Sequence, residues 1–327
     1  MYSVRTHRSH TICIPIPLHT IGFPSLLCTR IRMQIRPNLI PPSNHMGSLF
    51  SLPAAAIAPS QEPGLGDLPE SCVALVLGHL EPLQICRLAT LNRAFRGASS
   101  ADIVWESKLP VNYEDLLARV FERENASFCK RDIYARFCKA NSFDGGSKKV
   151  WVDKRSGNIC MSVSSNGLTI NGIDDRRYWS RIPSVESRFS SVAYLQQTWW
   201  LEVDGEIEFP FPAGSYSIFF RLQLGRAHQR FGRRVCNTEH VHGWDKKPVR
   251  FQVSTSDGQQ ATKQCYLKEQ GRWIHYHAGD FVVSSSFKSI KVKFSMTQID
   301  CTHTKGGLCV DSVQILPAKF KGRLQHF

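Results

Sequence analysis

Nowhere in the 327 residues does an apolar run approach the ~20 residues that a membrane-spanning helix requires, which sets transmembrane readings aside. Paired cysteines are missing too. Eleven Cys are present, but no two stand as C-x-x-C and the number is odd, so neither a disulfide framework nor a zinc ribbon is indicated. Several, such as Cys72 in SCVALVL and Cys265 in KQCYL, lie in apolar runs where a free thiol packs as a small hydrophobe, and a reduced cytoplasmic or nuclear protein fits best. Acids are lacking at the start of the chain, the earliest being Glu62. An uninterrupted signal-peptide core is lacking as well, because Pro15, Pro17, His19 and Pro24 break the candidate.

What is present at the start is Arg, His, Pro, Ile and Ser. An Arg-rich, acid-poor composition also describes an organelle transit peptide. A second start at Met46 opens Met46-Gly47-Ser48-Leu49-Phe50-Ser51, the M-G-x-x-x-S pattern of N-myristoylation. With Pro41-Pro42 and the SLPAAAIAPSQEPG run, residues 1–63 are expected to be a disordered or spurious N-terminal extension. The formal charge of +14 divides unevenly along the chain. Residues 1–45 hold five Arg and no acid, residues 46–145 hold 10 bases and 12 acids, and residues 146–327 hold 26 and 15. Hydrophobic residues at 42% and charged residues at 21% put the body of the chain among globular rather than disordered sequences.

The first periodic segment begins at Asp67-Leu68-Pro69-Glu70, with Pro69 suited to the first turn of a helix and Asp67 a candidate cap. Cys72, Val73, Val76, Leu77 and Leu80 recur at helical spacing. Pro82 restarts the chain, Ile85, Leu88 and Ala89 make a second short stripe, and Asn92-Arg93-Ala94-Phe95-Arg96 leads to Trp105. The pattern predicts three short helices in about 45 residues, too small a unit to be stable without docking on something else. In order, Leu68-Pro69-Glu70, the helix to Leu80, Pro82, Ile85-Cys86-Arg87-Leu88, Asn92-Arg93-x-Phe95-Arg96 and Trp105 resemble an F-box over residues 64–110. That resemblance implies docking on the adaptor subunit of an SCF (cullin–RING) ubiquitin ligase and, through it, on the cullin. It makes Leu68, Pro69, Cys72, Val76, Ile85 and Leu88 candidates for the adaptor-facing surface. The competing role for any of these positions, and above all for Val73, Leu77 and Trp105, is the module's own core.

A helical connector over 111–145 follows, with Leu116, Leu117, Val120 and Phe121 on one helix and Ile133, Tyr134 and Phe137 on the next, ending at Asp144-Gly145-Gly146-Ser147. From Val150 the period changes to two. Tyr216 to Leu224, Val249 to Val253 and Ile290 to Met296 each read as a strand with one buried and one wet face, separated by turn signals at Ser165-Asn166-Gly167, Asp204-Gly205, Ala213-Gly214 and Asp257-Gly258. About ten short strands without intervening helices argue for an antiparallel β-sandwich. The chain is thus expected to be multidomain, α then β: the F-box module, the connector, a sandwich over 146–317 and a tail over 318–327. Six of the seven Trp lie in the β part; Trp199 and Trp200, adjacent on an expected strand, should point to opposite faces, one into the core.

Asn166-Gly167-Leu168-x-Ile170, Asp174 to Trp179, Trp199-Trp200-Leu201-Glu202-Val203, Tyr216-x-x-Phe219-Phe220-Arg221, Gly271-Arg272-Trp273, Gly279-Asp280-Phe281, Lys305-Gly306-Gly307-Leu308 and Asp311-Ser312-Val313 resemble the phloem-protein-two lectin family, related to the tobacco leaf agglutinin. That implies a jelly-roll-like sandwich that binds chitooligosaccharides or N-glycan cores, hence glycans containing N-acetylglucosamine. With the F-box upstream, the whole is similar to plant F-box proteins of the phloem-protein-two-like class. The tobacco lectin has a Trp after the Leu-x-Ile strand where this chain has Asn171-Gly172, and acids before Lys-Gly-Leu where this chain reads Met296 to His303.

Sugar sites pair an aromatic face with side chains that hydrogen-bond hydroxyls. Asp175, Arg177, Tyr178 and Trp179 are the best local constellation and the candidate carbohydrate-binding residues. The alternative for this turn is that Tyr178 and Trp179 plug the sandwich while Asp175 and Arg177 pair to hold the turn. His240/His242 and His275/His277 have the i, i+2 spacing of a strand face, but tight ligand pairs are absent and neither a metal nor another cofactor is expected. The Arg226–Arg234 loop carries four Arg without interleaved stacking aromatics, which suits an acidic protein partner better than nucleic acid. No nucleophile–base arrangement accompanies these groups, so the chain is read as non-catalytic. Two functions follow: the substrate-recognition subunit of the ligase, holding an unknown target protein, glycosylated or not, or a carbohydrate-binding defence or phloem lectin that works without one.

Overall fold

In the computed structural model, the described residues are 67–121, 128–155, 157–230, 233–285 and 288–324; the expected N-terminal extension and the first residues of the F-box stretch lie outside them. The helical part holds four short helices before the connector, where the pattern predicts three: α1 (Glu70–Gly78), α2 (Pro82–Leu88), α3 (Arg93–Ala98) and α4 (Asp102–Glu106). Local chemistry sets their starts. Pro69 itself is the cap residue of α1, and Asp67 stands outside that position. Pro82 opens α2 behind a capping box between Glu81 and Gln84, and Asn92 caps α3 by accepting from the Phe95 N–H at 2.9 Å. Val73, Ala74, Leu77, Ile85, Phe95, Ala98, Val104 and Trp105 make the core of this part, and the Trp105 indole N–H donates to the Ser99 carbonyl at 2.7 Å.

The connector supplies the docking that so small a module needs. Helices α5 (Tyr113–Val120) and α6 (Lys130–Phe137) bury Leu116, Ile133, Tyr134 and Phe137, and Tyr134 stacks obliquely on Trp105 with ring centroids 5.3 Å apart. On the other side, the Asn112 side-chain amide donates to the Pro210 carbonyl at 2.6 Å and Arg119 donates to the Glu208 carbonyl at 2.7 Å. One hydrophobic core therefore runs from Val73 through the connector into the sheets.

The remainder is antiparallel β-structure. In chain order the strands are β1 (Asn141–Phe143), β2 (Lys148–Val152), β3 (Ile159–Ser164), β4 (Thr169–Ile170), β5 (Trp179–Pro183), β6 (Ser191–Leu195), β7 (Leu201–Phe209) and β8 (Gly214–Leu224). They continue as β9 (Arg226–Arg230), β10 (Arg233–Asn237), β11 (Val249–Thr255), β12 (Gln260–Cys265), β13 (Trp273–Val283), β14 (Ile290–Gln298) and β15 (Leu308–Pro317). Strand β15 is the axis of an eight-stranded sheet. Strands β8 and then β13 lie along one side of it; on the other side its first half pairs β6 and then β5, and its second half pairs β3, β2 and β1. The second sheet runs β12-β11-β14-β7-β4. Phe220 of β8 meets Phe251 of β11 at 5.3 Å and Phe294 of β14 at 6.2 Å, so the two sheets face each other across an aromatic core.

Three sequence expectations change here. Asp204-Gly205 is not a turn but lies inside β7; a Cβ on Gly205 would stand 2.4 Å from the Phe294 ring, so glycine is there for close approach between strands. Strand β8 has no wet face, because its outer side is covered in part by the chain end: Ala318–Phe320 and Lys321–Leu324 pack Phe320 and Leu324 against Phe219, Cys160, Leu316 and Trp151. Arg226–Arg230 and Arg233–Asn237 pair as a two-stranded antiparallel ribbon, β9 with β10, where a loop is expected from the sequence.

Candidate functional site

Two surfaces carry the residues singled out from the sequence. The first is the outer side of α1. Its sequence ESCVALVLG is apolar nearly all round, whereas a surface helix normally turns a polar face to water. Val73, Ala74 and Leu77 face the core; Cys72, Leu75 and Val76 face solvent, with Leu75 59% and Val76 46% exposed. Leu68 and Pro69 are exposed just before the helix, and Leu83 and Cys86 on α2 add to the bare apolar surface of this part. Four of the six candidate adaptor-facing residues are thus open: Leu68, Pro69, Cys72 and Val76. Ile85 is corrected to the core at 0% exposure, because α2 turns it inward while Leu83 takes the outer side; Leu88 is half-buried against the same core. Cys72 is not the small core hydrophobe that its apolar run suggests. Leu75 and Leu83 were legible as apolar residues opposite the core stripe, a signal that single-stripe reading discards.

The second surface is one end of the sandwich, where three segments are hydrogen-bonded together. The Asn171 N–H donates to Glu202 O at 3.0 Å, Gln196 N–H to Tyr178 O at 2.7 Å, and Thr198 and Lys305 exchange backbone bonds at 2.8 and 2.9 Å. Within the 171–179 turn, Asp175 accepts from the Arg177 N–H at 2.9 Å, from Nε at 3.1 Å and from Nη2 at 2.7 Å. These side-chain and backbone hydrogen bonds from Arg177 hold the Asp175 carboxyl below its usual range. Trp179 is 2% exposed and its indole N–H donates to Asn171 O at 3.1 Å, so its ring offers no face to a ligand. Tyr178 remains open beside Arg177, whose guanidinium lies 5.5 Å from the ring centre. The turn is therefore built with Trp179 as plug and Asp175 and Arg177 as clasp, and the aromatic surface lies elsewhere.

It lies on Trp199 and Trp200, which are 52% and 43% exposed. The expectation of opposite strand faces fails because both precede Leu201, where β7 begins. The segment is fixed from below. Lys305 is fully buried, and its ammonium donates to the carbonyls of Trp199 at 2.7 Å, Gln298 at 3.0 Å and Asp300 at 3.1 Å, while burial pulls its pKa down. The Trp200 indole N–H donates to Glu202 at 3.1 Å. Tyr178, Trp199 and Trp200 thus stand on a hydrogen-bonded end of the sandwich, with Glu202, Arg177 and Gln196 as nearby polar groups.

Other candidates resolve more simply. His277 contacts Asp280 at 2.8 Å, and His242 Nδ1 meets His240 O at 2.9 Å. Among the described residues no group of three His, Cys, Asp or Glu is placed to hold a metal, nine cysteines are free, and no helix is long and apolar enough to cross a membrane. A polar groove of about 730 Å³ crosses the outer face of the five-stranded sheet, between Asp204 and Glu206 on β7 and Gln252, Lys293 and Thr262 beyond.

The F-box-like series, the bare apolar helix face and the two-sheet sandwich define a plant F-box protein of the phloem protein 2 type, and this chain belongs to that family. The phloem protein 2 domain matches residues 158–317. F-box protein PP2-A12 of Arabidopsis thaliana is 64% identical over 267 residues, 81% of this chain and 92% of its own length. F-box protein PP2-A11 of the same plant is 62% identical over 266 residues, with the same two coverages, and the more distant F-box protein PP2-B15 is 26% identical over 296. Among solved structures, a family 35 carbohydrate-binding module from Clostridium thermocellum superposes on 49% of this chain and 98% of its own at 13% identity and a TM-score of 0.31, too low to bear on fold or ligand.

Proposed function

We propose that this protein is the substrate-recognition subunit of an SCF (cullin–RING) ubiquitin ligase. The carrying observation is α1: a helix apolar on both faces, with one face spent on its own core and Cys72, Leu75 and Val76 left bare beside Leu68 and Pro69. Apolar area of that kind stabilises a complex when a partner covers it. The partner is the adaptor subunit, with the cullin beyond it, as the F-box family membership supports. The sandwich selects the target protein. Ubiquitin transfer takes place on other subunits and this chain catalyses no step. Its working compartments are the cytoplasm and nucleus, in keeping with its free thiols.

Recognition of a glycosylated target uses the sandwich end, with Trp199, Trp200 and Tyr178 as the apolar faces and Arg177, Asp175 and Glu202 as hydroxyl partners. The same exposed aromatics also favour the second reading, a lectin that binds N-acetylglucosamine-containing glycans without a ligase. Mixing the purified full chain with the plant adaptor separates the two: a one-to-one complex at about 10 μM on size exclusion is expected for the ligase subunit. Separate elution at that concentration leaves only the lectin.

A further inference from the structure

A cleft of about 230 Å³ opens between the β1–β2 hairpin, the end of β3 and the chain from Arg188 to Ser190. Its lining is unlike the rest of the surface. Lys149 and Arg188 stand among Ser142, Ser147, Ser164 and Asn166, with the backbone of Gly145 and Gly146, and no carboxylate lines it. The neighbouring Lys148 is neutralised by Asp144 at 2.6 Å. Lys149 is not. Its ammonium donates to the Arg188 carbonyl and lies 5.0 Å from the Phe189 ring centre. The Arg188 guanidinium is stacked at 4.2 Å from the Trp151 ring centre. Among the described residues Lys149 makes no ion pair with an acid, and Arg188 makes none at contact distance, though its charge is attracted by Asp311 farther off.

The two positive charges also feel each other. Burial lowers the Lys149 pKa and the Arg188 charge lowers it further; burial likewise lowers Arg188. Like charges held together and half out of water are costly unless an anion completes the set. The other lining groups are suited to oxygens of such an anion. Asn166 uses its carbonyl oxygen for Arg181 and makes no hydrogen bond through its side-chain NH₂ among the described residues, and Ser142 and Ser190 add hydroxyls, whereas Ser147 already donates to the Asp144 carbonyl at 2.8 Å.

We propose that this cleft is a phosphate-monoester site that receives a phosphorylated serine or threonine of a target protein. Its volume is below the roughly 300–1,000 Å³ of sites that enclose a whole small molecule, so a group on the end of a side chain fits better than a free ligand. Two cations and several neutral donors match a dianion with three acceptor oxygens. The basic balance of residues 146–327, 26 bases to 15 acids, would draw an acidic partner to this part of the chain. Assigning the phosphate to a target protein rests on the receptor reading; the anion site itself does not.

The test is a calorimetric titration of the full chain, without adaptor, at constant ionic strength. The probes are N-acetyl-O-phosphoserine N-methylamide, its unphosphorylated form, inorganic phosphate and N-acetylglucosamine 6-phosphate. Phosphoserine should bind, the unphosphorylated form should not, and Lys149→Gln should weaken binding at least about tenfold while Lys148→Gln leaves it unchanged. Arg188→Gln should do the same as Lys149→Gln wherever its fold, read by far-ultraviolet dichroism, is intact. Equal binding in Lys149→Gln and wild type overturns the site. Binding of inorganic phosphate or the sugar phosphate in preference to phosphoserine overturns the target-protein assignment. Because no adaptor is present, loss of the ligase reading and loss of this one are seen in separate experiments.

Discussion

Buried and half-buried polar side chains decide how the sandwich holds its surfaces. Lys305 turns an ordinarily solvated ammonium into a three-carbonyl clamp, and the glycine after it is required by crowding: a Cβ on Gly306 would stand 2.3 Å from the Gln196 carbonyl. Arg221 of β8 donates to Asp311 of β15 at 2.7 Å under the 184–190 segment and lies 4.5 Å from the Trp273 ring centre. His275 sits beside that pair. Burial first, and then the Arg221 charge, push its pKa down to about 4 from 6.5. The sign follows from proton counting. Below pH 6.5 the unfolded chain takes up a proton that the folded imidazole refuses, so stability is full above that pH and is lost as pH falls toward 4. Between pH 7 and 5 this group should cost about 2 kcal/mol, measured by urea denaturation, and His275→Gln should remove that share of the loss. An unchanged pH dependence in the variant would place the acid sensitivity on other groups.

At the scale of elements, periodicity made β8, β11 and β14 legible, because one side of each packs in the interior and apolar residues must then alternate. It misjudged the outer side of β8, since what covers it arrives from the far end of the chain. Helix α1 was legible as a helix, but only one of its two apolar faces is core, and spacing alone could not say which residues of the Ile85–Leu88 stripe turn inward. The 171–179 turn was legible as a constellation and ambiguous in role. The deciding fact, an indole N–H bonded to Asn171 O, is a tertiary detail that no residue pattern carries. Trp199 and Trp200 were misread because the strand begins one residue later than the Trp pair. The glycan reading now depends on that pair. Titrating chitotriose into the full chain should change the tryptophan fluorescence with a dissociation constant near about 1 mM, as a small exposed platform allows. Trp200→Ala should abolish the change while Trp179→Phe, in the core, leaves binding in place. A wild-type protein that gives no response carries no sugar site at this end.

At the scale of the molecule, the helical part and the sandwich are tied by contacts far apart in sequence: Asn112 to Pro210, Arg119 to Glu208, and the core that runs through Phe137. The change of period near residue 150 marked the two kinds of structure but gave no hint of this shared core, because connector helices and sheet edge meet only after folding. A sandwich hydrogen-bonded to the helical part suits the proposed receptor, which must hold a target at a fixed place relative to the ligase. Everything in that account depends on the bare face of α1 being an interface. The most direct measurement is the affinity of the full chain for the SCF adaptor, wild type against Leu75→Glu/Val76→Glu, with Leu68→Ala/Pro69→Ala as a milder pair. Central apolar anchors commonly carry about 2 kcal/mol or more each, so the charged pair should weaken binding at least about 30-fold with the far-ultraviolet spectrum unchanged. Wild-type affinity in a folded Leu75→Glu/Val76→Glu protein would contradict the account.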